Sequence, residues 1–124
     1  MKRDIKLFIK DIIDHIDLIE SSLDSKSKDY LRNDINLSDA TIRRLEVIGE
    51  AIKNIPANIR DKYPSVDWKG FTGLRDIIIH SYFRINLDLS WDIIKNDLPI
   101  LKKQMFEILN DLEKDENIRK WNAN

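Results

Sequence analysis

The sequence has no cysteine, which excludes disulfides, thiolate metal sites and thiol nucleophiles. This composition fits a reducing compartment, and we expect a cytoplasmic protein. No stretch approaches the ~20 apolar residues that a transmembrane helix requires. Charged residues interrupt the amino-terminal apolar pattern every few positions, so no signal peptide is expected either. We therefore expect no membrane association, and any chemistry must come from side chains other than cysteine.

The chain also lacks a strong net charge, which is -1 from 21 basic and 22 acidic residues. A strongly basic chain would have been the simplest sign of a nucleic-acid-binding protein. The charge is nevertheless uneven, because residues 41–84 carry eight Lys or Arg and five Asp or Glu, whereas both flanks are acidic. An anion should therefore be attracted to the middle of the chain, although an ordinary mixed surface explains the same distribution.

Glycine and proline are scarce, with three of each, and they separate segments whose apolar residues recur at helical spacing. A length of 124 residues suits one hydrophobic core, so we expect a single domain over residues 1–124. Short connections between amphipathic helices are typical of an antiparallel bundle. The sequence therefore predicts an all-α bundle of four to five helices, with a charged and frayed tail over residues 113–124.

Three long helices are predicted. The first covers residues 5–23, and the second begins at Ser38 as its N-cap and ends before Pro56. The last begins near Ser90 and is expected to kink at Pro99, because proline removes a helical hydrogen bond. The chain between residues 24 and 37 is expected to form only a short turn.

A fourth, shorter helix is predicted over residues 73–81, after a broken connection over residues 57–72 that holds one or two helical turns. Its central run, Ile77-Ile78-Ile79, is apolar on all sides. We therefore expect this helix to be buried on more than one side, either in the centre of the bundle or against a second subunit.

Four polar residues flank this isoleucine run: Arg75, Asp76, His80 and Tyr82. Asp76 and His80 are four apart, so on a helix they can touch, and the carboxylate would orient the imidazole. Arg75 and Tyr82 are seven apart and would line one groove if the helix extends that far. The sequence therefore predicts a polar cluster at the end of an apolar helix.

The Arg75 guanidinium suits a phosphate, and the His80 imidazole can transfer a proton near neutral pH. Together they suit phosphodiester cleavage, which needs a base, an acid and a cation for the charge that builds on the phosphate. One arginine and one histidine are few for this task, but a two-fold axis beside the helix would double the set. The competing interpretation is a surface ion-pair network of Arg75, Asp76 and His80 without catalytic function.

The run from Arg75 to Tyr82 resembles the motif of HepT-like toxins in the HEPN superfamily: Arg, four residues, His, any residue, Tyr. The similarity continues upstream in residues 44–51 and in Tyr63-Pro64, and downstream in residues 91–94. It covers about residues 3–113. The resemblance implies a HEPN-type bundle that forms a homodimer, with a composite active site between the two copies.

The resemblance further implies a metal-independent endoribonuclease without a cofactor, acting as the toxin of a toxin-antitoxin pair. Arg75 and His80 would be the catalytic pair, with Asp76 in support. The implied antitoxin is a minimal nucleotidyltransferase that neutralises the toxin by transferring AMP to the motif tyrosine, here Tyr82. Lys69 and Arg84 are candidates for additional contacts with the RNA substrate.

Two other functions stay open at this point: a non-catalytic HEPN adapter subunit of a nucleotidyltransferase, and a helical dimer whose polar cluster is structural. Three aromatic side chains could stack on bases, but core packing is the simpler interpretation for them: Trp68, Phe71 and Trp91. Glu46 and Glu50 are expected to form solvated ion pairs with Arg43 or Lys53. His15 is expected to be an ordinary histidine at the core edge or surface, without a metal.

Overall fold

The structure is a computed structural model, and it describes residues 4–81 and 83–122. It confirms the all-α prediction, because the described residues form helices and turns without a strand. The helices are α1 (Ile5–Ser22), α2 (Lys28–Asn33), α3 (Ile35–Lys53), α4 (Ala57–Arg60), α5 (Trp68–Thr72), α6 (Leu74–Ser81), α7 (Leu87–Asp92) and α8 (Leu98–Asn122). Their number exceeds the expected four to five because the connections themselves form short helices. None of these described helices combines the length and apolar character needed to cross a bilayer.

The core forms where α1 packs against both α3 and α8. Isoleucines on one face of α1 are buried at helical spacing: Ile9, Ile12, Ile13, Ile16 and Ile19. The opposing faces contribute further fully buried side chains, among them Leu45, Ile48, Ile52, Leu98 and Leu101. Burial of such side chains from water is the main stabilising contribution in a small domain.

The start of α3 differs from the prediction. Asp34, not Ser38, is its N-cap, and the Asp34 carboxylate accepts a 2.9 Å hydrogen bond from the backbone N–H of Leu37. Ser38 is buried inside the helix, where its hydroxyl donates a 2.6 Å hydrogen bond to the carbonyl of Leu31. The expected turn before α3 is the short helix α2, which Ser27 caps. Since Asp34 also ends α2, one residue joins the two helices.

The expected kink at Pro99 takes the form of a π-helical turn, Ile93–Asp97, directly before α8. The backbone N–H of Leu98 donates to the carbonyl of Ile93, five residues earlier. Proline has no N–H, and its ring crowds the carbonyl four residues before it, so a widened turn here avoids that clash. Pro99 itself lies in the first turn of α8, where the missing donor is tolerated.

The fraying expected over residues 113–124 stays a prediction; in the described residues, α8 continues to Asn122. An ion pair between Lys6 on α1 and Glu116 links this extension to the start of the chain. Both side chains are partly exposed, so the pair stabilises the extension only modestly.

Candidate active site

Two buried side chains, Leu74 and Ile78, hold α6 against the core. They are four residues apart and therefore share one face of the helix. This face packs against α3. Ile77 is half-buried, whereas Ile79 is 47% exposed, so the expectation that α6 is buried on more than one side does not hold within one chain.

Gly49 on α3 lets this helix lie close to the start of α6. A Cβ atom at this position would lie 3.4 Å from the Phe71 carbonyl oxygen, 3.5 Å from Leu74 Cβ and 3.6 Å from the Arg75 backbone nitrogen. These distances leave room for a methyl group but for nothing larger. The missing side chain of Gly49 therefore sets the position of the Arg75 backbone.

Arg75 and His80 are both exposed on α6. Their positions are five residues apart along the helix, so they leave it about 140° apart. Arg75 lines a cavity between α1, α3 and α6 that does not include His80. One copy of the chain thus presents the two groups separately.

Asp76 is exposed, and the expected contact with His80 is not formed, since no hydrogen bond or ion pair joins them in the described part of the chain. Water competes effectively for exposed charged groups, so spacing alone does not guarantee a contact. Tyr82, the predicted AMP acceptor, lies outside the described residues.

The cavity beside Arg75 has a volume of about 360 Å³. Its apolar lining comes from Phe8, Val47 and Ala51, and its polar lining includes Arg43, Glu46, Glu50 and Asn54. The predicted ion pairs of Glu46 and Glu50 with Arg43 or Lys53 are absent from the described residues. Six of its nine lining residues are polar or charged, and three of these are acidic, so it differs from the mainly apolar pockets that usually bind small ligands. The sequence did not reveal this cavity, because it forms only where three separate helices meet.

The two candidates for additional RNA contacts have different surroundings. Lys69 is exposed at the edge of another cavity, beside α5. Arg84 donates a 2.8 Å hydrogen bond to the carboxylate of Asp39 and one of 3.2 Å to the carbonyl of Ile35. Its charge is therefore partly compensated within the chain, which leaves Lys69 as the more available cation.

The aromatic side chains mainly support the core. Trp68, Phe71 and Trp91 are all partly buried and pack against it. The Trp68 indole donates a 2.9 Å hydrogen bond to the carbonyl of Tyr63. His15 lies 2.7 Å from the carbonyl oxygen of Asp11, and residues 4–81 and 83–122 contain no cluster of His, Asp and Glu that could hold a metal.

Comparison with known proteins decides the family. The profile of the family described as Ribonuclease HepT-like matches residues 12–108, which include all of α6. The chain belongs to the HepT-like family. The motif of this family that the sequence resembled is thus found on a helix that presents Arg75 and His80 to solvent.

Several HepT-like relatives are similar over most of the chain. A Methanocaldococcus jannaschii protein provisionally named as an RNase is 44% identical over 118 residues, which are 94% of this chain and 97% of the relative. A Thermococcus cleftensis protein named as a probable ribonuclease HepT is 37% identical over 82% of this chain and 93% of its own length. No solved structure matches.

A longer relative from Methanocaldococcus jannaschii is named as a gamma-glutamylcyclotransferase and, provisionally, as an RNase. It is 42% identical over 99% of this chain, which spans only 55% of that protein. The similarity to it therefore concerns about half of the longer protein.

Proposed function

We propose that this HepT-like chain is a metal-independent endoribonuclease toxin that cleaves RNA at a site shared by two copies. The observation that carries the proposal is the arrangement on α6. Arg75 and His80 are exposed on different sides of this helix, and neither has a hydrogen-bond or ion-pair partner in the described part of the chain. The names of the relatives as RNases support the same activity.

The Arg75 guanidinium and the His80 imidazole suit cleavage of an RNA phosphodiester bond through attack by the ribose 2'-hydroxyl. One His80 removes the hydroxyl proton, and the new bond from the 2'-oxygen to phosphorus forms as the bond to the 5'-oxygen breaks. The His80 of the second copy gives a proton to the leaving 5'-oxygen. Arg75 stabilises the negative charge on the phosphate oxygens. The products are a 2',3'-cyclic phosphate and a 5'-hydroxyl.

An apolar surface beside α6 supports the homodimer. Ile79 is 47% exposed, Leu89 39% and Ile100 59%. Leu89 and Ile100 line a groove of about 310 Å³ together with Ile77 of α6. Ile79 leaves α6 on a different side from Ile77, between Arg75 and His80. A second copy that packed on Ile79 would remove this side chain from water and bring the second His80 near the first.

We further propose that a minimal nucleotidyltransferase antitoxin controls the enzyme by transferring AMP to Tyr82. Tyr82 follows His80 by two residues, so an anionic adduct there would repel RNA phosphates and obstruct the site. Incubation with the antitoxin and ATP should add mass in multiples of AMP, and the gain should vanish in Tyr82→Phe. An unmodified wild-type protein would contradict this part of the proposal.

The nuclease itself is tested by RNA cleavage in the presence of EDTA. Arg75→Ala and His80→Ala should each abolish cleavage, whereas His15→Ala, which changes the histidine on α1, should leave it intact. Activity in either α6 variant would refute the assignment of that residue. Tight binding to a nucleotidyltransferase without any RNA cleavage would instead favour the adapter function.

A further inference from the structure

A cavity of about 660 Å³ lies away from His80, between α4, α5 and the connection between them. Its lining residues are Ala57, Arg60, Asp61, Pro64, Trp68, Lys69 and Thr72. Two of these seven side chains are cationic, and one is acidic. The cavity therefore carries a positive charge in a chain whose overall charge is close to zero.

The cationic side chains of this cavity have no acceptor in the described part of the chain, since neither the Arg60 guanidinium nor the Lys69 ammonium group takes part in a hydrogen bond or ion pair there. Two buried side-chain atoms also have no partner, Arg60 Nε and Thr72 Oγ1, and both residues line this cavity. Buried donors without a partner cost free energy and are uncommon in folded proteins. These two atoms are themselves out of contact with solvent, so a ligand with oxygen acceptors in this cavity would meet the rest of the partly exposed Arg60 side chain and the exposed Lys69.

Some residues that line this cavity are close in sequence to residues that line the cavity beside Arg75. Thr72 precedes Arg75 by three residues, and Ala57 follows Asn54 of the Arg75 cavity by three residues. The two cavities are lined by different helices, α1, α3 and α6 for the first and α4 and α5 for the second, and short stretches of the chain connect these helices.

We propose that this second cavity is a phosphate subsite for the RNA strand, with Arg60 and Lys69 as its donors. The inference rests on the proposed nuclease function and adds a determinant of substrate binding to it. A guanidinium fork and an ammonium group are the usual protein partners of phosphate. The partly buried Trp68 supplies an apolar wall against which a ribose or base can pack. Asp61 opposes the phosphate charge and limits the affinity.

RNA binding by the His80→Ala protein tests the subsite without cleavage. A single-stranded RNA is titrated in EDTA at several salt concentrations, with and without Lys69→Gln. The loss of one phosphate contact should lower the slope of log affinity against log salt by about 0.7, and the affinity at low salt on the order of tenfold. Since Lys69 is exposed, this variant should fold normally.

Asp61→Asn provides the opposite change at the same cavity and should raise RNA affinity severalfold. Lys62→Gln is the matched control, because Lys62 is an exposed cation of the same segment that does not line the cavity. The RNA affinity of the Lys62→Gln variant should stay within twofold of that of the His80→Ala parent protein. The subsite proposal is overturned if the Lys62 and Lys69 variants lose RNA affinity equally, or if the Lys69 and Asp61 variants leave it unchanged. It is also overturned if the His80→Ala parent protein does not bind RNA.

The two proposals fail in different ways. If the wild-type chain does not cut RNA but the Lys69 and Asp61 variants shift binding in opposite directions, the subsite stands and the nuclease proposal falls. If the chain cuts RNA and Lys69→Gln changes neither KM nor binding, the subsite falls and the nuclease proposal stands. If the nuclease proposal and the subsite proposal are both correct, Lys69→Gln raises KM and leaves kcat close to that of the wild type.

Discussion

Arg75 and His80 lie on one helix but leave it about 140° apart, with Ile79 exposed between them. A phosphate held by the arginine of one copy is therefore poorly placed for the histidine of the same copy. A second α6 that met the first across a two-fold axis would supply the missing group. We therefore expect dimer formation to be a condition for activity.

Ile79→Glu should give a folded monomer that does not cleave RNA. A charge in the centre of a dimer interface opposes association, whereas the exposed position leaves the core of each copy intact. Size-exclusion chromatography with light scattering measures the mass, and circular dichroism the helix content. Leu18→Glu is the control, because Leu18 on α1 is equally exposed, at 47%. A dimeric and active Ile79→Glu protein would show that the copies associate through another surface.

Substitutions of Gly49 test how closely α3 must approach α6. Gly49→Ala should keep or raise stability by up to about 1 kcal/mol, because alanine favours the helix and its methyl group meets its neighbours at 3.4 Å or more. Gly49→Val should displace α6 and lower RNA cleavage by at least about tenfold, together with a loss of about 1–3 kcal/mol from overpacking. Cleavage rates and urea unfolding of both variants provide the measurement. Equal activity of the two would contradict the role of this close approach.

The start of α3 gives a pair of stability predictions. Asp34→Ala removes the side-chain cap and should cost about 1 kcal/mol in unfolding free energy. Ser38→Ala removes a buried hydrogen bond to the Leu31 carbonyl and should cost about 1–3 kcal/mol. Denaturant titration measures both. Asp39→Ala, next to Ser38 but exposed, should change stability less than either; a neutral Ser38→Ala would argue against the buried bond.

The raised pKa of Tyr63 predicts how the free energy of unfolding changes at alkaline pH. Burial and a 2.6 Å hydrogen bond that its hydroxyl donates to Asp111 raise the pKa of Tyr63 to about 12 from an ordinary value of 10.0. The folded state therefore holds this proton more tightly than the unfolded state, so the stabilisation is complete below pH 10 and is lost as the pH rises towards about 12.

Tyr63→Phe should consequently be less stable than the wild type near neutral pH, and the difference should shrink between pH 10 and about 12. Denaturant unfolding at a series of pH values measures this convergence. Tyr30→Phe, which changes an exposed tyrosine on α2, is the control and should follow the wild-type curve. A constant gap between Tyr63→Phe and the wild type at all pH values would contradict the linkage.

The sequence predicted the long helices and the position of α6 because apolar periodicity and proline positions are local signals. The cap of α3 was predicted wrongly, since Ser38 has the right residue type but the chain arrives from α2, which leaves Asp34 at the helix start. The Asp76 contact with His80 was expected from spacing alone, which does not account for competition by water.

The cavity around Arg60 and Thr72 could not be predicted at all. It forms between α4, α5 and the connection between them, and neither helix has a sequence motif that indicates a ligand site. The uneven charge of residues 41–84 was the related signal in the sequence, but it could not distinguish a paired arginine such as Arg84 from an unpaired cation such as Lys69.

The π-helical turn before Pro99 inserts one extra residue between α7 and α8, and a single residue corresponds to a rotation of about 100° around a helix. The turn therefore changes the direction in which the side chains after it leave the helix. Leu87 before the turn and Leu101 after it are both buried in the core. Leu89 and Ile100, also on opposite sides of the turn, line the same groove beside α6, so the shape of the surface offered to the proposed second copy depends on this one irregular turn.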